Sequence, residues 1–470
     1  MIVGGICLLT AGPASAGPAN RKLHHQSNDR SHHSFSAPVP INITGFGAPL
    51  PAVTRSYADL KAFSEGQINF KEVETLPDVG PIFNGVSCAG CHSQPAIGGG
   101  GLFINEVRVR NNQAPGPVHL FAADNMLRGG WQTQGPATIF PSGVESEPLG
   151  CQITSPGCAL SACQQEEKSR TTFAWNLPVC DTTSPDYAGG GNCIVGRAAT
   201  AVFGFGLVEA VSDQALIQLA DNEPASVQGS VKFVTEFGQQ RVARFGWKDD
   251  HATLRAFSGD AYLNEMGITN PDNSAEISSC ALNQYQFGVL LQTRAAPEDE
   301  TEGDGRADID RFSDFMRALS PPPVLPFTES ARFGSRLFDQ LGCGGCHTAT
   351  LTTAPNPASF IPPTTGGIPI SSSLNHALSS QVFHPYSDFL LHDMGSLGDG
   401  ITSGSAGPTM MRTAPLWGLR AKSTFLHDGR AADIATAIIL HDGQGKTASQ
   451  AFQALSASRQ QALIDFLSSI

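Results

Sequence analysis

The sequence is poor in charge, and above all in positive charge. Charged residues make up 15% of the 470 residues. There are 29 lysines and arginines and 42 acidic residues, so the formal net charge is −13. We do not expect nucleic acid as a partner of so acidic a chain, and a basic protein suits its surface better. The sequence also lacks a Ser/His/Asp order, a phosphate-binding loop and a basic stripe. Nothing therefore indicates hydrolase or phosphoryl-transfer chemistry.

Long apolar runs are scarce as well, and beyond the N-terminus none is long enough to cross a bilayer. The N-terminus has a short apolar run at 1–10, followed by Ala-Ser-Ala at 14–16. This pattern is typical of a secretory signal, although its positive segment is missing, and a short buried strand is the alternative. We predict a signal peptide at 1–16, a flexible tail at 17–45, and a periplasmic or secreted protein without a transmembrane span.

The cysteines agree with export. Of the 11 cysteines, one lies in the predicted signal and four form the motifs described next, which leaves six. A polar stretch with closely spaced cysteines is typical of a disulfide-stapled loop region in an oxidising compartment, and free buried thiols are the alternative. The sequence does not choose among the pairings of these six. They are Cys151, Cys158, Cys163, Cys180, Cys193 and Cys280.

Two Cys-x-x-Cys-His pentads are the strongest signal that is present. They are Cys88-Ala-Gly-Cys91-His92 and Cys343-Gly-Gly-Cys346-His347. The spacing is that of c-type haem attachment, in which two cysteines anchor the porphyrin and the histidine binds the iron. A structural zinc site needs its four ligands at close spacing, and these pairs are far apart in the sequence. We predict two covalently bound c-type haems.

Abundant glycine (50) and proline (32) indicate a loop-rich chain around these motifs. Helical patterns occur near 57–70, 308–319 and 463–470, and the prolines at 321–323 indicate a linker. The predicted fold class is mainly α, with two cytochrome-c-like haem domains and long loops. The predicted parts are an N-terminal haem domain at 46–320 with a Cys-rich insertion at 138–195, and a C-terminal haem domain at 327–470.

A haem that is held by one histidine needs a sixth ligand, or it keeps a face open for chemistry. In the C-terminal half, His441 continues an apolar stripe at helical spacing, where a histidine is either a core residue or a ligand. Met394 is the rival ligand, and a methionine would raise the reduction potential relative to a second histidine. Other side chains of the right type in this half are His376, His384, His392, His427, Met410 and Met411.

Several blocks resemble the bacterial di-haem oxidoreductase family, whose members are also called peroxidases or thiol oxidoreductases. The resemblance spans roughly 50–470, and the blocks are Phe83–His92, Arg244–Lys248, Asn264–Thr269, Leu391–Gly395 and Pro415–Arg430. The family is similar, more distantly, to dihaem cytochrome c peroxidases and to the dihaem enzyme that matures methylamine dehydrogenase. In those relatives, the offset from the block around His427 gives the distal ligand of the electron-transfer haem, which is His441 here. The relatives have Met or Tyr there, so the resemblance implies a bis-histidine haem of lower potential.

For the N-terminal haem at His92, the resemblance implies the reactive site, with one face open to peroxide and a glutamate nearby. One carboxylate can take the proton from one peroxide oxygen and give it to the other. The catalytic candidates are Glu209, as the acid/base, and Arg197, as the partner of a haem propionate or of the oxidised iron. A sixth ligand would instead close this face, and the candidates for it are His119, Met126 and Met266.

Two further features bear on the haems. Trp131, Trp247 and Trp417 are candidates for an aromatic side chain between them, with a structural tryptophan as the alternative for each. The acidic run at 298–308 loosely resembles a calcium loop, but Arg311 lies where a bidentate glutamate belongs, so we interpret the run as a solvated loop. The relatives hold Ca²⁺ between their haems, and Ca²⁺ is a further candidate cofactor here, without assigned ligands.

The sequence therefore predicts an exported dihaem c-type cytochrome with peroxidase-like oxidoreductase activity. A small electron-donor protein, of cytochrome or cupredoxin type, would pass electrons through the C-terminal haem to the reactive N-terminal haem. That haem would reduce peroxide or act on another small substrate. Two alternatives stay open, a non-catalytic dihaem electron-transfer protein and a dihaem oxygenase with an apolar channel.

Overall fold

The computed structural model begins its description at residue 44, and from Asn42 onward the chain forms one compact unit. The predicted signal peptide, nearly all of the predicted tail and most of the Cys-rich insertion lie outside the described residues. The described ranges are 44–74, 86–101, 104–110, 118–120, 193–283, 288–293 and 299–470, of which 104–110, 118–120, 193–195, 275–283 and 288–293 are described by their backbone alone. In these ranges no helix has the length and apolarity that a membrane crossing requires.

Helices form most of the regular structure in the described part of the chain. They are α1 (Tyr57–Lys71), α2 (Cys88–Cys91), α3 (Phe205–Glu209), α4 (Asp213–Asn222), α5 (Leu254–Met266), α6 (Asp308–Ala318), α7 (Glu329–Gln340), α8 (Ser372–Leu378), α9 (Ile434–Ile439), α10 (Lys446–Gln453) and α11 (Ala457–Leu467). Short 3-10 turns connect several of them. These are Val53–Arg55, Cys343–Gly345, Pro357–Ser359, Gly395–Leu397, Leu419–Ala421 and Gly443–Gly445.

Small antiparallel sheets accompany the helices, so the fold is mixed rather than mainly α. One sheet has three strands in the order β2-β1-β3, and the others are two-stranded pairs of consecutive strands. The strands are β1 (Ile104–Arg110), β2 (Val118–Leu120), β3 (Cys193–Ala198), β4 (Phe233–Glu236), β5 (Gln239–Val242), β6 (Ala275–Asn283), β7 (Gly288–Thr293), β8 (Leu351–Thr352), β9 (Val382–Phe383), β10 (Leu391–Asp393) and β11 (Met410–Arg412). The β4–β5 turn shows why the sequence did not reveal them. Its central residues, Phe237 and Gly238, have positive φ without the Asn-Gly or Asp-Gly signature of such turns.

Two helix pairs repeat the same packing in the two halves of the chain. α1 packs on α6, and α7 packs on α11. A Cβ built at Gly66 would overlap the Arg311 carbonyl and lie 2.9 Å from Phe315 Cβ. A Cβ built at Gly334 would overlap the Ala462 carbonyl and lie 2.9 Å from Phe466 Cβ. Each pair can therefore cross closely only because glycine is at the contact.

The predicted helices at 57–70 and 308–319 are confirmed, and so is the buried face of the last helix. Leu463, Phe466 and Ile470 are each 1% exposed. In the first helix Phe63 is 6% exposed and Leu60 is 36% exposed. Phe63 and Phe70 supply the apolar contacts of that helix with α6.

The larger apolar core draws on both sides of the predicted proline linker. It contains most buried apolar residues from 50 to 319, together with residues from beyond the linker such as Ile361, Leu374, Phe383 and Trp417. A second, smaller core is formed by α7, α10 and α11. The linker itself is held at both ends, because Ser320 N–H donates to Ala48 O at 2.9 Å and Leu325 N–H donates to Ser469 O at 2.7 Å.

Candidate haem sites

The C-terminal pentad opens into a cavity of about 680 Å³, a size typical of cofactor and ligand pockets. Its lining includes Cys343, Cys346, His347 and His441, together with apolar side chains from α7, α9 and α11. The wall is therefore hydrophobic with few polar groups, as a porphyrin requires. The N-terminal pentad lines a separate cavity, so the fold does not join the four motif cysteines in one zinc site.

The two histidines of this cavity lie at a spacing that would fit two ligands of one metal ion. The ring centroids of His347 and His441 are 6.5 Å apart. Two metal–nitrogen bonds of about 2 Å, with half of each ring, come to roughly 6 Å. Nδ1 of His347 lies 2.9 Å from Tyr386 O, and Nδ1 of His441 lies 2.8 Å from Ala437 O, which leaves Nε2 of both rings for a metal. Burial lowers the pKa of His347 to about 4 and also lowers the pKa of His441, so both rings are neutral ligands at pH 7.

Met394 and the other candidates are placed differently. Met394 lines the cavity beside Gly445, next to the His441 ring. His392 is 1% exposed, with Nε2 3.0 Å from Asp388 Oδ2 and Nδ1 3.4 Å from Cys346 Sγ, so both of its nitrogens are engaged. His376 and His384 are exposed to solvent.

A buried cation in the same cavity fits the anionic edge of a haem. Arg412 is 3% exposed, lines the cavity, and its Nη2 has no hydrogen-bond partner among the described residues. An unpaired buried guanidinium nitrogen is costly, and a propionate carboxylate would satisfy it. Lys422 lines the cavity too, and burial lowers its pKa to about 8.

The N-terminal cavity is smaller, about 130 Å³, so the fit of a haem there depends on the donor set. Cys88, Cys91 and His92 line it together. Nδ1 of His92 lies 2.9 Å from Thr200 O, which leaves Nε2 free to bind a metal in the same way as His347. Phe70 packs edge-on to the His92 ring at 6.0 Å, and Phe338 lies 6.5 Å from the His347 ring.

A turn on the wall of each cavity is one backbone motif that occurs twice. Phe245 forms a bridge with His251, and Phe425 forms a bridge with Ala431. The second and fifth residues of both turns have positive φ: 83° and 50° at Gly246 and Asp249, 71° and 70° at Leu426 and Gly429. Thr253 then caps α5 and Asp433 caps α9 by accepting the N–H three residues on. Every pair has the same offset of 180 positions (245 to 425, 253 to 433).

The duplicated turn reveals what differs between the two sites. The position that corresponds to His441 is Ala261, which lines the N-terminal cavity and has no atom that can bind iron. Polar side chains surround it, namely His251, Asp260 and Glu265. Ala261 and Glu265 are four residues apart on α5 and so lie on one face of that helix.

Comparison with known proteins agrees with two haem sites. The family described as "Di-haem oxidoreductase, putative peroxidase" matches residues 191–470, which is more than half of the chain.

The chain belongs to the di-haem oxidoreductase family.

Haem is therefore its cofactor, and haem-dependent oxidation–reduction is its general chemistry. A comparison with curated proteins gave no match. Among solved structures, the chain is similar to hydrazine synthase of Kuenenia stuttgartiensis, determined under 20 bar of xenon, with 17% identity and a TM-score of 0.23. That match covers 41% of this chain and 60% of the hydrazine synthase chain.

Within this di-haem oxidoreductase, the two predicted catalytic residues have different surroundings. Glu209 is 0% exposed and does not line either haem cavity. Its carboxylate accepts from Arg317 Nε at 2.7 Å and from Leu254 N–H at 2.8 Å, which joins three helices. The structure therefore does not bring Glu209 to the wall of the N-terminal cavity, whereas Glu265, which the sequence analysis did not consider, lies on that wall. The 180-residue repeat in the sequence is the signal that could have revealed it.

Arg197 does line the N-terminal cavity of the oxidoreductase. It is 2% exposed and pairs with Asp399, which also pairs with Lys248 at 2.9 Å. Burial alone would raise the pKa of Asp399, but the two cations hold it below its usual range. The position suits a propionate partner, as predicted, and Asp399 fixes the guanidinium there.

One tryptophan lies between the haem cavities of the oxidoreductase. Trp247 lines both, donates from Nε1 to Ala198 O at 2.9 Å, and packs edge-on to the His427 ring at 6.2 Å. Trp417 is buried in the larger core and lines neither cavity. Trp131 and Met126 lie outside the described residues, and the His119 side chain is not described. Met266 lines the N-terminal cavity with its Sδ 4.0 Å from Cys88 Sγ, beside the attachment cysteine.

The acidic run near 298–308 uses its carboxylates for other contacts. Arg311 pairs with Glu302 at 2.6 Å and with Asp304 at 3.2 Å. Asp299 accepts the backbone N–H of Asp308 at 2.8 Å at the start of α6. The interpretation as a solvated loop with Arg311 in the glutamate position matches these contacts, and no Ca²⁺ ligands are assigned.

Proposed function

We propose that this di-haem oxidoreductase is an exported c-type cytochrome that reduces peroxide at its N-terminal haem with electrons received at its C-terminal haem. The observation that carries the proposal is that Ala261 corresponds to His441, each eight residues after the helix cap that follows the duplicated turn. In the C-terminal cavity His347 and His441 each leave Nε2 for an iron. In the N-terminal cavity His92 does so, whereas His251 has a carboxylate at each ring nitrogen. The proposed architecture is accordingly two cytochrome-c-like halves with different tasks.

Covalent attachment is supported by the environment of the motif cysteines. Burial raises the pKa of Cys88 far above its usual range, and burial raises the pKa of Cys343 to about 11. Zinc and iron–sulfur sites need thiolates, whereas thioether formation joins a neutral sulfur to the porphyrin. Neutral, apolar surroundings therefore suit thioether bonds better than a metal–sulfur site.

The proposed iron ligands follow from the positions of the histidines in the two cavities. His347 and His441 would hold the C-terminal haem, with Met394 as the rival sixth ligand, and His92 would hold the N-terminal haem. Two histidine ligands favour a low reduction potential, which suits a haem that passes electrons on. Bound haem supplies the electron transfer and the activation of peroxide, and the protein supplies ligands, burial and proton-transfer groups.

The proton chemistry falls to Glu265. Breaking the O–O bond heterolytically requires that the bound oxygen lose a proton and that the departing oxygen gain one. A carboxylate on the same helix face as Ala261 lies beside the open position and can carry out both transfers. Glu265 therefore takes the role that we first predicted for Glu209.

Trp247 is the proposed connection between the haems. It lines both cavities, and its Nε1–H bond to Ala198 O fixes the ring. An aromatic ring in the shared wall shortens each electron step. Of the three predicted candidates, Trp247 is the one with this position among the described residues.

The two alternatives make different demands on the N-terminal cavity. An electron-transfer protein needs a sixth ligand there, and Met266 is a described side chain on this wall that could move to supply it. An oxygenase for hydrocarbon substrates needs an apolar channel, whereas His251, Asp260 and Glu265 place three polar side chains on this wall. We therefore keep the electron-transfer protein as the second candidate.

Absorption and EPR spectra of the purified holoprotein, oxidised and half-reduced, test the proposal. We expect one low-spin bis-histidine haem and one high-spin haem whose spectrum responds to hydrogen peroxide. Two low-spin haems that ignore both half-reduction and peroxide would instead establish the electron-transfer protein. A spectrum with one haem or none would overturn both candidates.

A further inference from the structure

We propose that His251 supplies protons to the reactive N-terminal face through Asp260. The His251 ring is held between Asp260 and Glu236. The inference rests on the proposed peroxide reduction and adds to it the source of a proton. Since His251 acts through another group, it is a positioning residue, and Asp260 is the group that would touch peroxide.

The geometry places an imidazole between two carboxylates on the cavity wall. Nε2 of His251 lies 3.2 Å from Asp260 Oδ2, and Nδ1 lies 3.5 Å from Glu236 Oε1. His251 and Asp260 both line the cavity that contains Cys88, Cys91 and His92. A ring with an acceptor at each nitrogen is held in its doubly protonated form.

Each carboxylate has a distinct anchor. Glu236, in β4, accepts from Ala252 N–H at 2.9 Å and from Thr253 Oγ1 at 2.7 Å, so its position is fixed by the backbone that caps α5. Asp260 belongs to α5 itself and is 28% exposed, against 8% for Glu236. Glu236 is therefore the permanent counter-ion, and Asp260 is the carboxylate with access to the cavity.

The duplicated turn shows that this arrangement belongs to the open site alone. The residue that corresponds to His251 in the C-terminal turn is Ala431, which is 0% exposed. The half with the ligand histidine, His441, thus has alanine at the earlier position, and the half with Ala261 has histidine there. At these two corresponding positions, the C-terminal half has an iron ligand and no proton source, and the N-terminal half has a proton source and no iron ligand.

The charges that face the ring favour the imidazolium. They are Asp260 on α5, Glu236 on β4 and, in the turn before His251, Asp250, which is itself paired with Lys232 at 2.6 Å. From α5 the Phe257 ring packs at 5.9 Å. Burial alone would lower the pKa of His251, but Asp260 and Glu236 raise it to about 10. His251 therefore stays charged at neutral pH and can return a proton after each turnover.

The step balances with the proposed donor. Reduction of one H₂O₂ to two H₂O breaks the O–O bond and consumes two electrons and two protons. The electrons come from two one-electron oxidations of the small donor protein. Glu265 moves the peroxide's own proton to the departing oxygen, so the two protons are consumed as the second oxygen becomes water. For one of them, the Nε2–H bond of His251 breaks as an O–H bond forms on Asp260, and that bond breaks in turn as an O–H bond forms on the second oxygen. Solvent then restores the proton on the partly exposed imidazole.

The test uses the full-length holoprotein and the variants His251→Gln, His251→Arg and Asp260→Asn, with His384→Gln as the matched control. His384 is exposed and lines neither cavity. We expect His251→Gln and Asp260→Asn to lower peroxide turnover about 100-fold, the lower range of general acid catalysis. Arginine keeps the positive charge but cannot give up a proton, so His251→Arg should stay as slow as His251→Gln.

A second readout does not depend on turnover. Azide binding to the oxidised N-terminal haem, followed by absorption against pH, should show an inflection near the His251 pKa of about 10 in the wild type. His251→Gln should lack it and His384→Gln should keep it. A purely structural role for His251 would not move this inflection.

The outcomes separate the two proposals. Suppose that the wild type turns over peroxide. If His251→Gln is then within threefold of its rate, or if His251→Arg restores that rate in full, the proton role is overturned and peroxide reduction stands. A wild type that is inert to peroxide, together with an inert His384→Gln, overturns the proposed function itself. If His251→Gln does not fold, Asp260→Asn decides, because it leaves the imidazole in place and removes the proton-carrying oxygen.

Discussion

Ala261 and His441 each lie eight residues after the helix cap that follows one of two copies of a backbone turn, and only the histidine can bind iron. The two copies share their bridges, their positive-φ residues and their helix caps, but α5 continues through Ala261 to Met266 whereas α9 ends at Ile439. Such a difference is a direct means of giving two haems different coordination.

Ala261→His should close the N-terminal face. Because Ala261 lines the cavity that contains His92, the new imidazole should approach the iron and convert a high-spin haem into a low-spin one. EPR of the oxidised holoprotein would show the loss of the high-spin signal, and peroxide would no longer change the spectrum. The reciprocal variant His441→Ala should create a second high-spin haem, and Met394→Leu should change neither signal. If Met394→Leu alters the EPR signal of the C-terminal haem, Met394 is the sixth ligand of that haem instead of His441.

Glu265→Gln and Glu209→Gln should have opposite phenotypes. Glu265→Gln removes the proton carrier at the open face, so peroxide turnover should fall by about 10²–10³ with little change in stability. Glu209→Gln removes the nearer of the two carboxylates from buried Arg317 and leaves Asp314 at 3.7 Å, which costs about 3 kcal/mol of unfolding free energy. Steady-state kinetics and chemical denaturation of both variants check this pair. A large loss of turnover in a stable Glu209→Gln protein would restore Glu209 to the mechanism.

Trp247→Phe should slow electron transfer between the haems. The substitution removes the indole from the wall of both cavities and the hydrogen bond to Ala198 O. After rapid reduction of the C-terminal haem, we expect the N-terminal haem to follow more slowly by about an order of magnitude, measured by stopped-flow absorption. Trp417→Phe is the control, since Trp417 is buried away from both cavities. Equal rates in the two variants would remove Trp247 from the path.

Gly334→Ala should destabilise the C-terminal half. The added methyl would overlap the Ala462 carbonyl, so α7 and α11 must separate, at a cost of about 1–3 kcal/mol or more. Gly303→Ala is the matched control, because a Cβ there meets nothing within 4 Å. Thermal unfolding of the holoproteins measures the difference. Equal unfolding temperatures of the two variants would mean that α7 and α11 can separate without a loss of stability.

The sequence revealed the parts of the molecule that depend on local pattern. The two pentads, the helices at 57–70 and 308–319 and the apolar face that ends at Ile470 all follow from spacing within a few residues. The small sheets did not follow, because their strands are short and their turns lack the usual residues, as at Phe237-Gly238. They form because the surrounding helices and loops position the two strands, which no local pattern records.

The acid/base residue shows the same limit at the site. Glu209 looked suitable by its position after the segment that begins at Arg197, but burial against Arg317 depends on contacts 108 positions apart. His251, Ala261 and Glu265 were open to discovery, because the turn that carries them repeats 180 positions later in the same chain (261 to 441). A repeat within one sequence substitutes in part for the alignment of relatives.

The shared core has a consequence for dissecting the molecule. A fragment that ended before the prolines at 321–323 would expose the apolar surfaces on which Ile361, Leu374, Phe383 and Trp417 pack. The complementary fragment would carry those four side chains into water. Separate expression of either half should therefore give aggregates rather than a working single-haem cytochrome, and mixing the two fragments during synthesis should recover more holoprotein than either alone. Although the two halves repeat a turn and a helix pair, they form a single folding unit.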